Sequence, residues 1–271
     1  MASAKRTAKE SSAAVESLTR TDPVRIEPFR MQEIRLNILG SSPLIFNRMS
    51  EKAKRELLFP APTKNSAAKR GTLKHNPLQE YRDSLYVRRE DKETRIVFPS
   101  PGFKGAAMTA ALEIPGVFKT TIGRLLQVMG WQVPIWGVPQ IYMTGVKSAG
   151  MNKTPDIRTR AILPEWATAL VVRYPIGAFD PASIGNLFAA AGQVCGIGDF
   201  RQEKGKGSFG LFSLVPEGDE NFRRIVASMG QESQDAAIAN PEAFDAETAD
   251  LWQWFEEELV NRGRREEALH A

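Results

Sequence analysis

The segment GIGDFRQEKGKGSFGLF, Gly196–Phe212, limits what this chain can fold into more than any other stretch. It joins a helix-patterned run to a strand-patterned run, and it carries five glycines and three cations in seventeen residues. A connection so bare and so positive suits a phosphate. Glycines such as Gly198, Gly205 and Gly207 let a ligand approach the backbone N–H groups, and Arg201, Lys204 and Lys206 add charge. The competing reading is a hairpin or bulge that holds nothing.

Around this loop the chain alternates between two periods. MQEIRLNIL (Met31–Leu39) sets Ile34, Leu36 and Ile38 against Glu33, Arg35 and Asn37, which predicts a half-buried strand. RIVFPSPGFKGAAMTAALEI (95–114) reads as a short strand, a Pro-Gly turn and a helix, with Ser100 as N-cap, Pro101 in the first turn and Lys104 near free backbone N–H groups. PQIYMTGV (139–146) and ATALVVRYPI (167–176) read as strands. DPASIGNLFAAAGQV (180–194) is a helix capped by Asp180, with Ile184, Leu187, Phe188 and Ala191 inward. SFGLFSLV (208–215) is the last body strand, with Phe209, Leu211 and Ser213 on one face.

Two polar, basic stretches interrupt these elements. Residues 50–94 hold eleven Lys/Arg, with prolines at 60, 62 and 77, and read as an insertion. Its Tyr81 and Tyr86 lie among Arg82, Arg88 and Arg89. Rings between cations suit a single-stranded nucleic acid, where bases stack and phosphates are held; the alternative is that the tyrosines anchor the insertion to the body. KSAGMNKTPDIRTR (147–160) is a long basic excursion carrying Lys147, Lys153, Arg158 and Arg160. Without the interruptions the order is βαββαβ. The expected fold class is α+β, a ferredoxin-like or RRM-like core over 31–215. A flexible arm over 1–30 precedes it and an acidic helical segment over 216–271 follows, where Leu251, Trp252, Phe255 and Leu259 face inward.

Charge separates the same two regions. Residues from Glu217 onward hold fourteen acidic and five basic side chains, and the body before them holds 31 basic and 18 acidic. A basic body suits a polyanion, and an acidic tail can shield it or dock on a neighbour's basic face. The lone Cys195 excludes an internal disulfide and suits a reducing cytoplasm, where it reads as a small core residue. No apolar run spans a membrane and no Cys/His set has zinc spacing. Walker A and Rossmann patterns are absent. His75 and His270 lack sequence neighbours that would make a catalytic pair, and Asp199 is expected to orient Arg201 or cap its turn. No cofactor and no catalytic constellation is expected.

Three segments carry a resemblance. IRLNILGSSPLIFN (34–47), FPSPGFKGAAMTAAL (98–112) and the glycine loop resemble, in order and spacing, segments of the RAMP superfamily of CRISPR-associated proteins, most specifically the Cas7-like backbone subunits. The resemblance implies a modified RNA-recognition fold that binds guide RNA in a head-to-tail helical stack of copies, beside other effector subunits. It implies that 147–160 forms a thumb-like hairpin reaching a neighbour, and that 50–94 is a family insertion. Some such subunits cut RNA with an acidic residue near the first strand; here SSPLIFNRMS (41–50) has none. The expectation is a non-catalytic RNA-binding subunit. The alternatives are a solitary phage or mobile-element protein that binds single-stranded nucleic acid, and a RAMP endoribonuclease.

Overall fold

The alternation of Ile34, Leu36 and Ile38 builds β1, Met31–Gly40, at the centre of a four-stranded antiparallel sheet. The computed structural model describes residues 28, 30–59, 74–147, 155–204 and 207–261. Residues Met31–Ala271 form one unit. The arm expected over 1–30 lies outside the described residues except at 28 and 30, as do Lys153, Gly205, Lys206 and His270 entirely.

Chain order gives β2 (Leu44–Ile45), α1 (Glu51–Leu58), α2 (Pro77–Ser84), β3 (Val97–Pro99), α3 (Ser100–Ala110), α4 (Lys119–Leu125) and β4 (Gln127–Val128). Then come β5 (Gln132–Pro134), β6 (Gln140–Lys147), β7 (Pro155–Leu163), β8 (Ala167–Pro175) and α5 (Pro181–Ala190). The chain closes with β9 (Phe212–Val215), α6 (Glu220–Ser228), α7 (Gln231–Ala239) and α8 (Ala246–Asn261). The protein is α+β. The large sheet runs β4-β8-β1-β9, a smaller one runs β2-β7-β6, and β3 pairs with β5.

Register sorts the large sheet into two faces. Leu36 lies opposite Leu170 and Ile34 opposite Val172, and these residues share one core with Phe103, Ala106 and Ala107 of α3 and Ile184, Leu187 and Phe188 of α5. On the other face Leu39, Ala169 and Val215 meet Phe222 and Ile225 of α6. Asp180 caps α5 as expected, its carboxylate accepting from the Ser183 N–H at 2.8 Å. A cap of this kind is worth about 1 kcal/mol. Gly192, in the π turn after α5, has no room for a side chain, since a Cβ would lie 2.1 Å from the Phe212 oxygen.

Several expectations need correction. The strand read at 139–146 leaves the large sheet and pairs with β7; the edge of the large sheet is β4, a two-residue strand too short to show a period. The stretch 147–160 is not a loop throughout, because residues 155–160 return as β7 in register from Lys147 opposite Pro155 to Gln140 opposite Ile162. α3 begins at Ser100 with Pro99 as N-cap, so Lys104 sits a turn inside the helix. The last strand starts at Phe212 and points Phe212 and Leu214, not Phe209 and Ser213, to the core. Gly210, at φ +69°, turns the chain between them and shifts the parity.

The stretch 50–94 contributes to the core through α2. Tyr81 and Leu85 are fully buried, and the Tyr81 hydroxyl donates to the Ala237 carbonyl of α7 at 3.0 Å. α7 is stitched in place by buried Gln234. Its Oε1 accepts from the N–H groups of Arg95 and Ile96, at 2.7 and 2.9 Å, and its Nε2 donates to the Ile135 oxygen at 2.8 Å. α8 docks on β6, where Thr248 Oγ1 accepts from the Met143 N–H at 3.2 Å. Leu259 is buried and Leu251, Trp252 and Phe255 are half-buried, as the helical spacing predicts. Among the described residues no helix is long and apolar enough to cross a membrane.

Candidate nucleic-acid interface

The α3 segment and the glycine loop, far apart in sequence, face each other across a cleft of about 460 Å³. One wall is the α3 face made by Pro101, Gly102, Gly105 and Thr109. The opposite wall is the loop from Ile197 to Arg201 with Glu203, and Asn47, Tyr86, Phe98 and Lys119 also line the cleft. Most glycines here serve the loop's own packing. A Cβ on Gly198 (φ +81°) would lie 2.5 Å from the Ile45 oxygen, and one on Gly207 would lie 1.5 Å from the Phe200 oxygen. Gly105 differs: nothing lies within 4 Å of the position its Cβ would take. A glycine inside a helix costs about 0.5–1 kcal/mol relative to Ala, and no neighbour requires this one.

The cleft's charges are partly neutralised from within. Arg201 donates to Glu203 at 2.8 Å and to the Gly198 carbonyl at 2.8 Å. Thr109 donates to the other Glu203 oxygen at 3.2 Å. Burial pushes the Glu203 carboxyl up, and Arg201, Thr109 and Lys204 together draw it below its ordinary value. Asp199 pairs with Arg160 and not, as expected, with Arg201. Lys119 is exposed and forms no ion pair among the described residues.

A second groove of about 480 Å³ adjoins the first through Asn47, and the Arg160–Asp199 pair links their walls. Arg48, Arg158 and Arg160 line it. Burial pushes the Arg160 guanidinium down to about 10, with Arg158 beside it adding to the shift. At the far end His75 bridges two carboxylates, with Nδ1 2.9 Å from Glu80 and Nε2 3.0 Å from Asp156. Asp156 also accepts from Lys74. His75 thereby ties α2 to β7.

The predicted site residues therefore divide. Gly198 and Arg201 line the cleft, and Arg158 and Arg160 line the groove. Lys104 lies on α3 one position before Gly105, and exposed Lys204 follows Glu203. Gly207 packs under Phe200, which holds φ +52° with its ring exposed against Phe209. Lys147 ends β6. Arg88 is drawn to Thr94, donating to its carbonyl at 2.7 Å, and neither it nor Arg89 lines the cleft or groove. Tyr86 lines the cleft; Tyr81 does not. Asn47, Lys119 and Arg48 join the site without having been singled out. Asn47 and Arg48 both lie in SSPLIFNRMS (41–50), and Lys119 follows the Pro115-Gly116 turn.

No protein-family model matches the chain, and no curated protein matches it.

Proposed function

We propose that the protein binds single-stranded RNA along the path formed by the cleft and the adjoining groove, and that it holds the strand without cutting it. One observation carries this reading: the α3 segment and the glycine loop close on each other, and their cleft, which presents Lys119 and Arg201, leads past Asn47 into a groove lined by Arg48, Arg158 and Arg160. Open space at Gly105 lets a strand approach the helix closely. Cations spaced along a groove can track a phosphate backbone, and a glycine with open space at its Cβ position admits a sugar or phosphate that a side chain would exclude. His75 is the histidine among the described residues, and both its ring nitrogens face carboxylates, which favours a structural role over a catalytic one.

The finer reading is a ferredoxin-like, Cas7-like subunit that lines up head to tail with copies of itself on a guide RNA, beside other effector subunits. The sheet order supports it. Taken in chain order, strands β1, β4, β8 and β9 arrange as second, third, first, fourth, with α3 and α4 between the first pair and α5 between the last. The βαββαβ pattern calls for this order, and the β6–β7 ribbon would then be an addition to it.

The test uses Arg158→Glu combined with Lys119→Glu, at two exposed cations, one in each half of the path. Fluorescence anisotropy with a labelled single-stranded RNA should show affinity lowered at least tenfold. The slope of log affinity against log salt should flatten by about one to two. A folded double variant with unchanged affinity and slope overturns the reading. Light scattering with a long strand tests the finer part, which requires mass to grow with strand length.

A further inference from the structure

A small apolar pocket of about 200 Å³ lies between α8 and the β6–β7 ribbon. Met143, Ile157 and Thr159 form its ribbon side, and Leu251, Phe255 and Leu259 its helix side. It shares His75, Ile157 and Thr159 with the basic groove. Resting on the RNA-binding reading, we infer that this pocket receives one unstacked nucleobase of the strand held in that groove.

Three observations support a base over a purely apolar occupant. The space is below the range of about 300–1,000 Å³ usual for ligand pockets, and suits a single ring system. Thr159 is 5% exposed, and its hydroxyl has no hydrogen-bond partner among the described residues. A buried hydroxyl without a partner is rare. An aliphatic or phenyl group in the pocket would leave it unpaired; a base brings an apolar face for the walls and a polar edge for the hydroxyl. The other polar groups nearby are engaged: His75 by Glu80 and Asp156, Lys74 by Asp156, and Glu258 by a partner of its own. Finally, Trp254 lines the pocket while 63% exposed, which leaves an indole face for stacking. Arg158 in the shared groove supplies charge for the flanking phosphates.

The experiment compares wild type with Thr159→Val, which removes the hydroxyl and keeps the shape. Because that hydroxyl has no partner in the free protein, the melting temperature should hold or rise. Affinity for a fluorescein-labelled oligouridylate should fall about three- to tenfold, the worth of one hydrogen bond. On an abasic strand of the same length the two proteins should bind alike, since only phosphates and sugars remain. Leu251→Trp, which fills the pocket from the helix side and does not line the groove, should lower affinity for the oligouridylate and not for the abasic strand. Equal affinity of wild type and Thr159→Val for the oligouridylate, or a penalty that persists on the abasic strand, overturns the pocket while leaving the groove intact. A wild type that binds neither strand overturns both.

Discussion

The cleft at the glycine loop and the groove at the ribbon adjoin, yet different forces hold them. Around the cleft, backbone packs on backbone: Gly196, Gly198, Gly207 and Gly210 each bring a carbonyl or chain segment closer than a Cβ would allow. Around the groove, charged side chains close on one another, Lys74 and His75 with Asp156 and Arg160 with Asp199 across distant segments, and Arg48 with nearby Glu51. The first kind of contact ignores salt and pH. The second is screened by salt and titrates. The cleft also holds the Arg201–Glu203 pair, but its loop backbone is set mainly by steric fit, while the groove's walls depend more on their ionic surroundings.

The strongest way to break this contrast is Gly210→Ala. Gly210 holds φ +69°, and a Cβ there would lie 1.8 Å from the Ile197 oxygen. A non-glycine residue in that region costs about 1–3 kcal/mol before any clash, so the variant should lose about 3 kcal/mol or more, read as a lower urea midpoint at unchanged m. Gly145→Ala on β6 is the control, since nothing lies within 4 Å of its Cβ position; it should fall within about 0.5 kcal/mol of wild type. If Gly210→Ala costs no more than the control, steric fit does not set the cleft.

The same contrast governs what the sequence disclosed. β1, β8 and the α5 cap were legible because their signals are local: alternation within ten residues, or Asp-Pro at a helix start. The groove was legible only through Arg158 and Arg160; what closes it was not. Tyr81 anchors the insertion to the body, as one of the two readings of its tyrosines expects, but its partner, the Ala237 carbonyl 156 positions away, was not foreseeable. Asp156 reads as part of a basic excursion until it meets Lys74 and His75, and Thr159 reveals nothing until α8 closes over it. Phe209 and Phe212 exchange roles because one glycine turns the strand between them. Pairings over such distances leave no period in a single sequence.

A second prediction separates folding from binding at the cleft. Gly105 sits inside α3 with open space at its Cβ position. Gly105→Ala should raise stability by about 0.5–1 kcal/mol, because Ala restricts the unfolded chain and suits a helix. The same methyl stands in the proposed path, so RNA affinity should drop severalfold while the protein becomes more stable. Unchanged affinity in the stabilised variant means that the strand does not pass over Gly105.

The smallest effect tests the charged end. The Lys74 ammonium beside Asp156, helped by His75 and opposed by slight burial, holds the Asp156 carboxyl below its ordinary value. A carboxylate depressed in the folded state adds stability that is complete above its unfolded pKa of about 3.9 and is lost as pH falls through the lower folded value. Asp156→Asn removes that contribution. Asp156 is about one-third exposed, so near neutrality the variant should be less stable by under about 1 kcal/mol, the scale of a surface pair. The gap should close in acid, once both folded and unfolded carboxyls are protonated, and should narrow with added salt at neutral pH. The Gly210→Ala gap should do neither. Urea unfolding of the three proteins, at neutral and acidic pH and at low and high salt, reads both gaps. An Asp156→Asn gap that persists in acid means that shape, and not charge, holds α2 to β7, and the two ends of the path are then built alike.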